Sequence, residues 1–444
     1  MTVEEYPFSE LLSVVIDNRG KTCPTADSGI PLIATNCIRN EQLYPTYDKV
    51  RFVSHETHSN WFRGHPLPGD IIFVNKATPG RVCLVPDPVD FCIAQDMVAV
   101  RANPKRVYPN YLFAVLRSPA VQEKISQMHV GTLIPHFKKG DFDKLLLPVP
   151  ERNIQEFIGD TYFTLSAKIE LNRRMNATLE AMAQALFQSW FVDFDPVRAK
   201  LDGRKPVGMD EATAALFPEH LENSPIGKKP VGWEVTVLEN VLAVLETGGR
   251  PKGGVGGIKS GIPSIGAESI INVGVFDFSK TKFVPVEFYE GMKKGHIESH
   301  DVLLYKDGGR PGEYEPHVSM FGDGFPFEEC CINEHVYRLR ANQSLSQEYL
   351  YFWMTSEFAF AEMRIKGTGV AIPGLNSTAV RSLAVLVPPP PIVEAFTKQA
   401  APLVTRILAN AKQSRTLATL RDTMLPKLLS GEISTSIQEL NQSL

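Results

Sequence analysis

At 444 residues the chain is too long for one hydrophobic core and suits two to four domains. Its 43% hydrophobic and 22% charged content is that of an ordinary globular protein, and no run approaches the ~18 apolar residues that span a bilayer. A net charge of -4 argues against a simple non-specific nucleic-acid binder, which is usually basic, but leaves room for local basic loops whose partner supplies further charge.

Residues 1–150 read as a globular module of short apolar strands punctuated by Gly/Pro turns such as Leu67-Pro68-Gly69-Asp70 and Thr78-Pro79-Gly80-Arg81. The opening Met1-Thr2-Val3-Glu4-Glu5 is acidic and lacks a signal-peptide pattern. Six cysteines with no CxxC pair argue against a zinc site or a disulfide framework. A cytoplasmic location, without membrane attachment, is therefore expected. Pro148 and Pro150 then introduce a long helix over 151–190, with no glycine or proline after Gly159. Residues 191–230, rich in Asp, Gly and Pro, read as a connector.

Residues 231–388 repeat the first module. Ile30-Pro31-Leu32-Ile33 returns as Ile262-Pro263-Ser264-Ile265, Asp70-Ile71-Ile72-Phe73 as Asp301-Val302-Leu303-Leu304, and Arg101-Ala102-Asn103 as Arg340-Ala341-Asn342. Subtracting positions gives an offset of 231–232 in the early blocks and 236–239 from Arg101 on. So small a drift over a whole module marks an internal repeat, which must be found before the fold is assigned. Residues 389–444 then repeat the helix and add a tail.

The two helices share a polar-centred stripe. Alternating steps of four and three from Ile154 give Ile158, Thr161, Leu165, Lys168, Asn172, Met175, Leu179, Met182 and Leu186. The same steps from Ile392 give Phe396, Gln399, Leu403, Arg406, Asn410, Gln413, Leu417, Leu420 and Met424. Asparagine in a heptad seam lowers stability but fixes register. Antiparallel pairing would bring the two polar middles, Asn172 and Asn410, together. The alternative is two independent amphipathic helices, each packed on its own module. The expected fold class is α+β: two pseudo-symmetric α/β-type modules separated by two long helices forming an antiparallel coiled coil.

Catalytic signatures are missing. His55-Glu56-Thr57-His58 has the wrong spacing for a helical zinc pair, and Gly20-Lys21-Thr22 lacks the first P-loop glycine, because Val15 stands there. Gly253-Gly254-Val255-Gly256-Gly257 reads as a loop, and no GxSxG elbow occurs. The chain is expected not to be an enzyme.

The doubled ending is the most specific signal. Gly131-Thr132 through Leu145-Leu146-Leu147-Pro148-Val149-Pro150, and Gly367-Thr368 through Leu383-Ala384-Val385-Leu386-Val387-Pro388, each run straight into a long helix. Trp190-Phe191-Val192-Asp193-Phe194-Asp195-Pro196 follows the first helix. In these features the chain resembles the specificity (S) subunit of Type I restriction–modification systems. That resemblance implies two target recognition domains, each reading one half of a bipartite site in double-stranded DNA, on a coiled-coil ruler. It further implies docking of two methyltransferase (M) subunits, carrying S-adenosylmethionine for adenine methylation, and restriction (R) subunits using ATP and Mg. No cofactor is expected in this chain itself.

On that reading, base readers belong on turns presenting Arg, Lys or Asn, with Lys, Thr and backbone amides on phosphates. The first candidates are Asn75, Lys76, Thr78 and Arg81, matched by Lys306 and Arg310, since each turn places a lysine after the strand and an arginine four or five residues on. The second are His136 and Lys138, with Lys139, matched loosely by Lys366, Thr368 and Asn376. The third are Arg19, Lys21, Arg250 and Lys252 in the corresponding early loops. Each group has a plain alternative as a solvated turn. Trp61 and Phe62 are expected to cover a small core. Phe187-Gln188-Ser189-Trp190-Phe191 is either a methyltransferase-docking patch or packing against the other helix. Module two holds 14 Lys+Arg against 19 Asp+Glu, a net of -5, whereas residues 1–150 hold 16 against 15, a net of +1. The competing function is a protein scaffold of two repeated modules that never touches DNA.

Overall fold

The computed structural model describes residues 3–18, 22–128, 135–369 and 372–433. It divides into two units, one of residues 1–171 with 414–444 and one of residues 172–413. Both long helices, α4 (Arg152–Phe191) and α11 (Pro390–Ser430), cross that division.

The first unit runs β1 (Glu4–Pro7), β2 (Leu12–Ile16), β3 (Ile30–Ile33), β4 (Arg51–Val53), α1 (His55–Asn60), β5 (Ile71–Val74), β6 (Val82–Leu84), β7 (Cys92–Ile93), β8 (Met97–Ala102), α2 (Pro109–Arg117), α3 (Pro119–Met128) and β9 (Leu146–Val149). A four-stranded sheet has the order β2-β8-β5-β6, a three-stranded sheet the order β4-β3-β7, and β1 pairs with β9. The central strand β5 is apolar throughout, and β8 apart from Arg101, because both of their faces are covered. Side-chain alternation sends Ile71, Phe73, Val98 and Val100 into one core, and Ile72, Val74, Met97 and Ala99 into another. Phe62 closes a small third cluster with Trp61 against it, as expected from the sequence. Gly159 lets α4 lie directly on the start of α2: a Cβ there would sit 2.5 Å from the Tyr111 amide nitrogen.

The second unit contains α5 (Asp195–Leu201), α6 (Glu211–Leu216), β10 (Leu221–Ser224), β11 (Gly227–Pro230), β12 (Glu234–Val237), β13 (Leu242–Thr247), β14 (Ile262–Ile265), β15 (Lys282–Val284), α7 (Val286–Glu290), β16 (Asp301–Tyr305), β17 (Gly309–Arg310), β18 (Glu313–Tyr314), β19 (Val318–Phe321), β20 (Cys331–Ile332), β21 (Val336–Ala341), α8 (Gln347–Met354), α9 (Glu357–Lys366), α10 (Ser377–Arg381) and β22 (Ala384–Val387). Its sheets repeat the first unit's: β13-β21-β16-β19, β15-β14-β20 and β12-β22. Even the parallel pair recurs, β3 with β7 and β14 with β20, and so does the register shift at Leu12/Val14 and Leu242/Val244. The sequence repeat is therefore a repeat of topology.

β5 follows, and β16 starts at, a buried carboxylate. Asp70 accepts from Leu67 N–H (2.8 Å) and from Arg101 Nε and Nη2 (2.7 and 3.0 Å). Asp301 accepts from Glu298 N–H (2.7 Å), Arg338 Nε (2.5 Å) and Arg340 Nε (2.9 Å). Both aspartates follow a residue in the left-handed region, Gly69 (φ 83°) in one unit and His300 (φ 62°) in the other. A non-glycine residue is uncommon there. His300 hydrogen-bonds Glu348 (2.8 Å) and Asp323 (3.2 Å), and these acidic partners, Glu348 first, raise its pKa.

Within each unit the segments of α4 and α11 pair in opposite chain order. In the first, Ile158 and Tyr162 share a core with Leu425 and Leu428, and Arg421 reaches Ser166 Oγ (3.4 Å). In the second, Asn172 Nδ2 donates to Asn410 O (3.4 Å) and Gln413 Oε1 (2.9 Å). Asn410 Nδ2 donates to Asn176 Oδ1 (2.9 Å), and Asn176 Nδ2 to Ile407 O (3.1 Å). Of the expected seam, Ile158, Asn172, Phe396 and Asn410 are buried, while Leu165, Leu179, Leu186, Leu403, Leu417 and Met424 are half-buried.

The strict four-three count needs correcting. Lys168, Met182, Arg406 and Leu420 are exposed, so the charged pair lies outside the seam. On α11 the buried line runs Phe396, Ala400, Val404, Ile407 and Ala411, then Arg421, Leu425 and Leu428. Two consecutive steps of four move it one residue out of phase with the counted stripe. An α-helix at 3.6 residues per turn drifts against a 3.5-residue repeat, and here the packing follows the drift.

Candidate nucleic-acid interface

In the first unit, β5 delivers the turn 75–81. Asn75 is fully buried: its Nδ2 donates to Phe137 O (3.0 Å) and its carbonyl accepts Phe137 N–H (2.8 Å). This side chain splices two loops together and is not presented outward, which corrects the expectation of Asn75 as a base reader. The splice continues as a bridge between Lys76 and His136, with Ala77 N–H donating to Pro135 O (3.0 Å). Two candidate groups far apart in sequence thus form one loop pair. Lys76 is exposed and 3.9 Å from Asp96, Thr78 and His136 are half-buried, and Arg81 and Lys138 are exposed. Arg19 and Lys21, and the Gly131-Thr132 step, lie outside the described residues.

The second unit repeats the splice. Lys306 O accepts Leu375 N–H (2.8 Å), Gly308 N–H donates to Pro373 O (3.0 Å), and Asp307 bridges Gly374. Thr368 and Gly374 exchange backbone bonds of 2.9 and 2.8 Å. The early loop joins through β20's end: Arg250 pairs with Glu334 (2.9 Å), and His335 O accepts Lys306 N–H (2.8 Å). Lys306 is half-buried, while Arg250, Lys252, Arg310 and Thr368 are exposed.

Two candidates have local work that competes with DNA contact. Lys366 Nζ donates to Ser382 O and Oγ (2.8 Å each) and pairs with Glu362 (3.1 Å). Asn376 caps α10, its Oδ1 accepting Ala379 N–H (2.8 Å). Lys366 ties the end of α9 to the end of α10, and Asn376 fixes the start of α10.

One element escaped the sequence reading. The matched turn of the second unit is no plain turn but contains the hairpin β17–β18. Its signal was present in Gly309 and Gly312, both at positive φ (106° and 80°), with Tyr314 as the inward anchor.

The apolar segment 187–191 forms the last turns of α4. Phe187, Trp190 and Phe191 are buried, with Phe187 and Phe191 5.8 and 5.1 Å from Phe396, so the packing alternative holds and the docking patch is withdrawn. Phe194, Val197 and Phe217 of the connector join the same core. Among the described residues, no His/Cys/Asp/Glu cluster could hold a metal, and no helix is long and apolar enough to cross a membrane.

Residues 16–181 match the family model described as Type I restriction modification DNA specificity domain. The chain is 23% identical over 373 residues to the Type I restriction enzyme MjaIX specificity subunit of Methanocaldococcus jannaschii, covering 82% of this chain and 78% of that one. It is 25% identical over 410 residues to the HindI specificity subunit of Haemophilus influenzae, covering 82% of this chain and 86% of the other. Its fold is similar to the crystal structure of a Type I S subunit from M. genitalium, with a TM-score of 0.55 at 15% identity and 96% of each chain covered.

Proposed function

As a member of the Type I restriction–modification specificity-subunit family, this chain, we propose, gives a complex its DNA address by reading two half-sites. Residues 1–150 read one half of a bipartite, gapped site in double-stranded DNA, and residues 231–388 read the other. The helices at 151–190 and 389–444, joined through the connector 191–230, act as an antiparallel coiled-coil ruler that fixes the gap. Two methyltransferase subunits dock on the chain and bring S-adenosylmethionine. Restriction subunits bring ATP and Mg. The chain itself performs no chemistry and works in the cytoplasm.

One observation carries this reading: the same loop pair recurs in both units. In each, the turn after the central strand is hydrogen-bonded to the segment before the last strand. Exposed cations stand on it both times: Lys76, Arg81 and Lys138 in one unit, Arg310 in the other. Loops on a rigid scaffold are where binding residues concentrate. A protein scaffold that never touches DNA is not favoured, because it gives no reason for exposed basic side chains on the same loop pair in both units. Adenine N6 methylation needs a flipped base, so that distortion falls to the methyltransferase while this chain holds register.

The test is modified-base sequencing of the host genome with the gene intact and deleted. Loss of adenine methylation at one gapped motif supports the reading. Unchanged methylation while the methyltransferase subunit is expressed refutes it.

A further inference from the structure

The two units differ most where they are expected to act. Between β5 and β6 the first unit has seven residues, 75–81, whereas between β16 and β19 the second has twelve, 306–317. The extra residues form the hairpin β17–β18, in which Arg310 stands opposite Glu313.

This hairpin is anchored as a rigid finger. Tyr314 is buried at its base, and its hydroxyl donates to Tyr305 O (2.5 Å). Gly367 lies so close to that ring that a Cβ would sit 2.4 Å from the Tyr314 Cβ. On the other side Gly308 N–H donates to Pro373 O. The tip, by contrast, is open. Arg310 and Glu313 are exposed and, among the described residues, neither side chain has a hydrogen bond or ion pair. With Gly309, Glu315 and His317 they line a shallow cleft. Glu315 is already paired with Arg364 (3.0 Å).

From this geometry we infer that residues 308–315 are a base-reading finger particular to the second unit, with Arg310 and Glu313 reading a G·C pair in the major groove. The inference rests on the DNA-addressing function above and names residues for it. Arginine matches guanine O6 and N7, and glutamate accepts from cytosine N4. The glutamate is the telling member. An exposed carboxylate facing phosphates would be repelled, whereas one facing a base edge has a donor to meet. The -5 balance of residues 231–388 fits the same division, since a reader that recognises base edges needs less phosphate-binding charge than one held by the backbone.

The test uses the intact methyltransferase complex carrying Arg310→Ala, Glu313→Gln or no change, with the methylated motif sequenced and methylation of oligonucleotide duplexes timed. The expected result is relaxed sequence preference at one or two adjacent positions of a single half-site. The original base pair there should lose its advantage by roughly 5- to 150-fold. The other half-site and the gap length stay unchanged. Both positions are exposed, so thermal melting should match the unchanged protein. A motif identical in all three proteins overturns the finger. So does slower methylation of every sequence alike from Arg310→Ala, which marks a phosphate contact. An unchanged complex that methylates no gapped motif overturns the addressing function itself, and the finger with it.

Discussion

Replacing Asp301 by Asn should destabilise the protein about twice as much as the same change at Asp70, although the two residues are repeats of each other. Asn keeps an oxygen for the turn amide, Glu298 N–H in one case and Leu67 N–H in the other, so the difference lies in the arginines. Arg101 is 35% exposed and can turn to water when Asp70 loses its charge. The cost is then that of one charge-assisted contact, about 1.5 kcal/mol. Arg338 is only 7% exposed, and Arg340 shares the same carboxylate. Breaking a buried pair from one side costs ~3–5 kcal/mol. Arg338 keeps Glu246 (2.9 Å) and Glu298 (2.7 Å), which places the cost at the lower end, about 3 kcal/mol. Urea unfolding with amide hydrogen exchange reads both. Trp190, Trp233 and Trp353 lie in the second unit and Trp61 alone in the first, so fluorescence is weighted toward the unit that Asp301→Asn weakens. Equal losses from the two changes, or protection lost first around β5 and β8 in Asp301→Asn, would refute the reasoning.

Three further outcomes are expected. The raised pKa of His300 stabilises the folded state fully below the unfolded histidine value of about 6.5 and loses that contribution as pH rises through the folded value. The stability gap between the protein and His300→Asn, a residue that also tolerates positive φ, should therefore be widest at pH 6 and narrow above neutrality; a flat gap in urea titrations counts against it. Gly159→Ala should cost about 2 kcal/mol, an overpacking penalty of about 3 less the ~1 that alanine gains in a helix, and a stabilised variant in thermal melts would show that the α2 backbone yields. Changing Asn172 and Asn410 together to Leu removes at least three hydrogen bonds of about 1 kcal/mol each and buries two apolar side chains of about 2 each. Melting should rise by a few degrees while exchange over 172–176 and 407–413 quickens, and a fall of more than 5 °C (about 2 kcal/mol) would mean the asparagines hold the helices together.

What could be read from the sequence was whatever repeats or runs in a period. The doubled Asp-apolar strand, the two long helices and their asparagines stand at positions the residues alone pick out, because burial on both faces and helical spacing leave a pattern in composition. The errors came where tertiary contact overrides local chemistry. Asn75 has the residue type of a base reader, yet a partner 62 residues away claims its amide, and nothing near it in sequence announces Phe137. Lys168 and Arg406 sat on the counted stripe, but consecutive steps of four, Ile158-Tyr162-Ser166-Glu170 on α4 and Phe396-Ala400-Val404 on α11, turned the buried line past them. The hairpin at 309–314 was hidden for the opposite reason. Aligning the two modules treats the extra residues of the second as an insertion in a turn, and an insertion has no repeat partner to give it meaning. A doubled chain therefore shows its shared scaffold readily and conceals what makes its halves different. If the two halves read different sequences, the residues to examine are those the repeat does not predict, and in the second unit Glu313 is one, since no acidic residue stands in the first unit's turn.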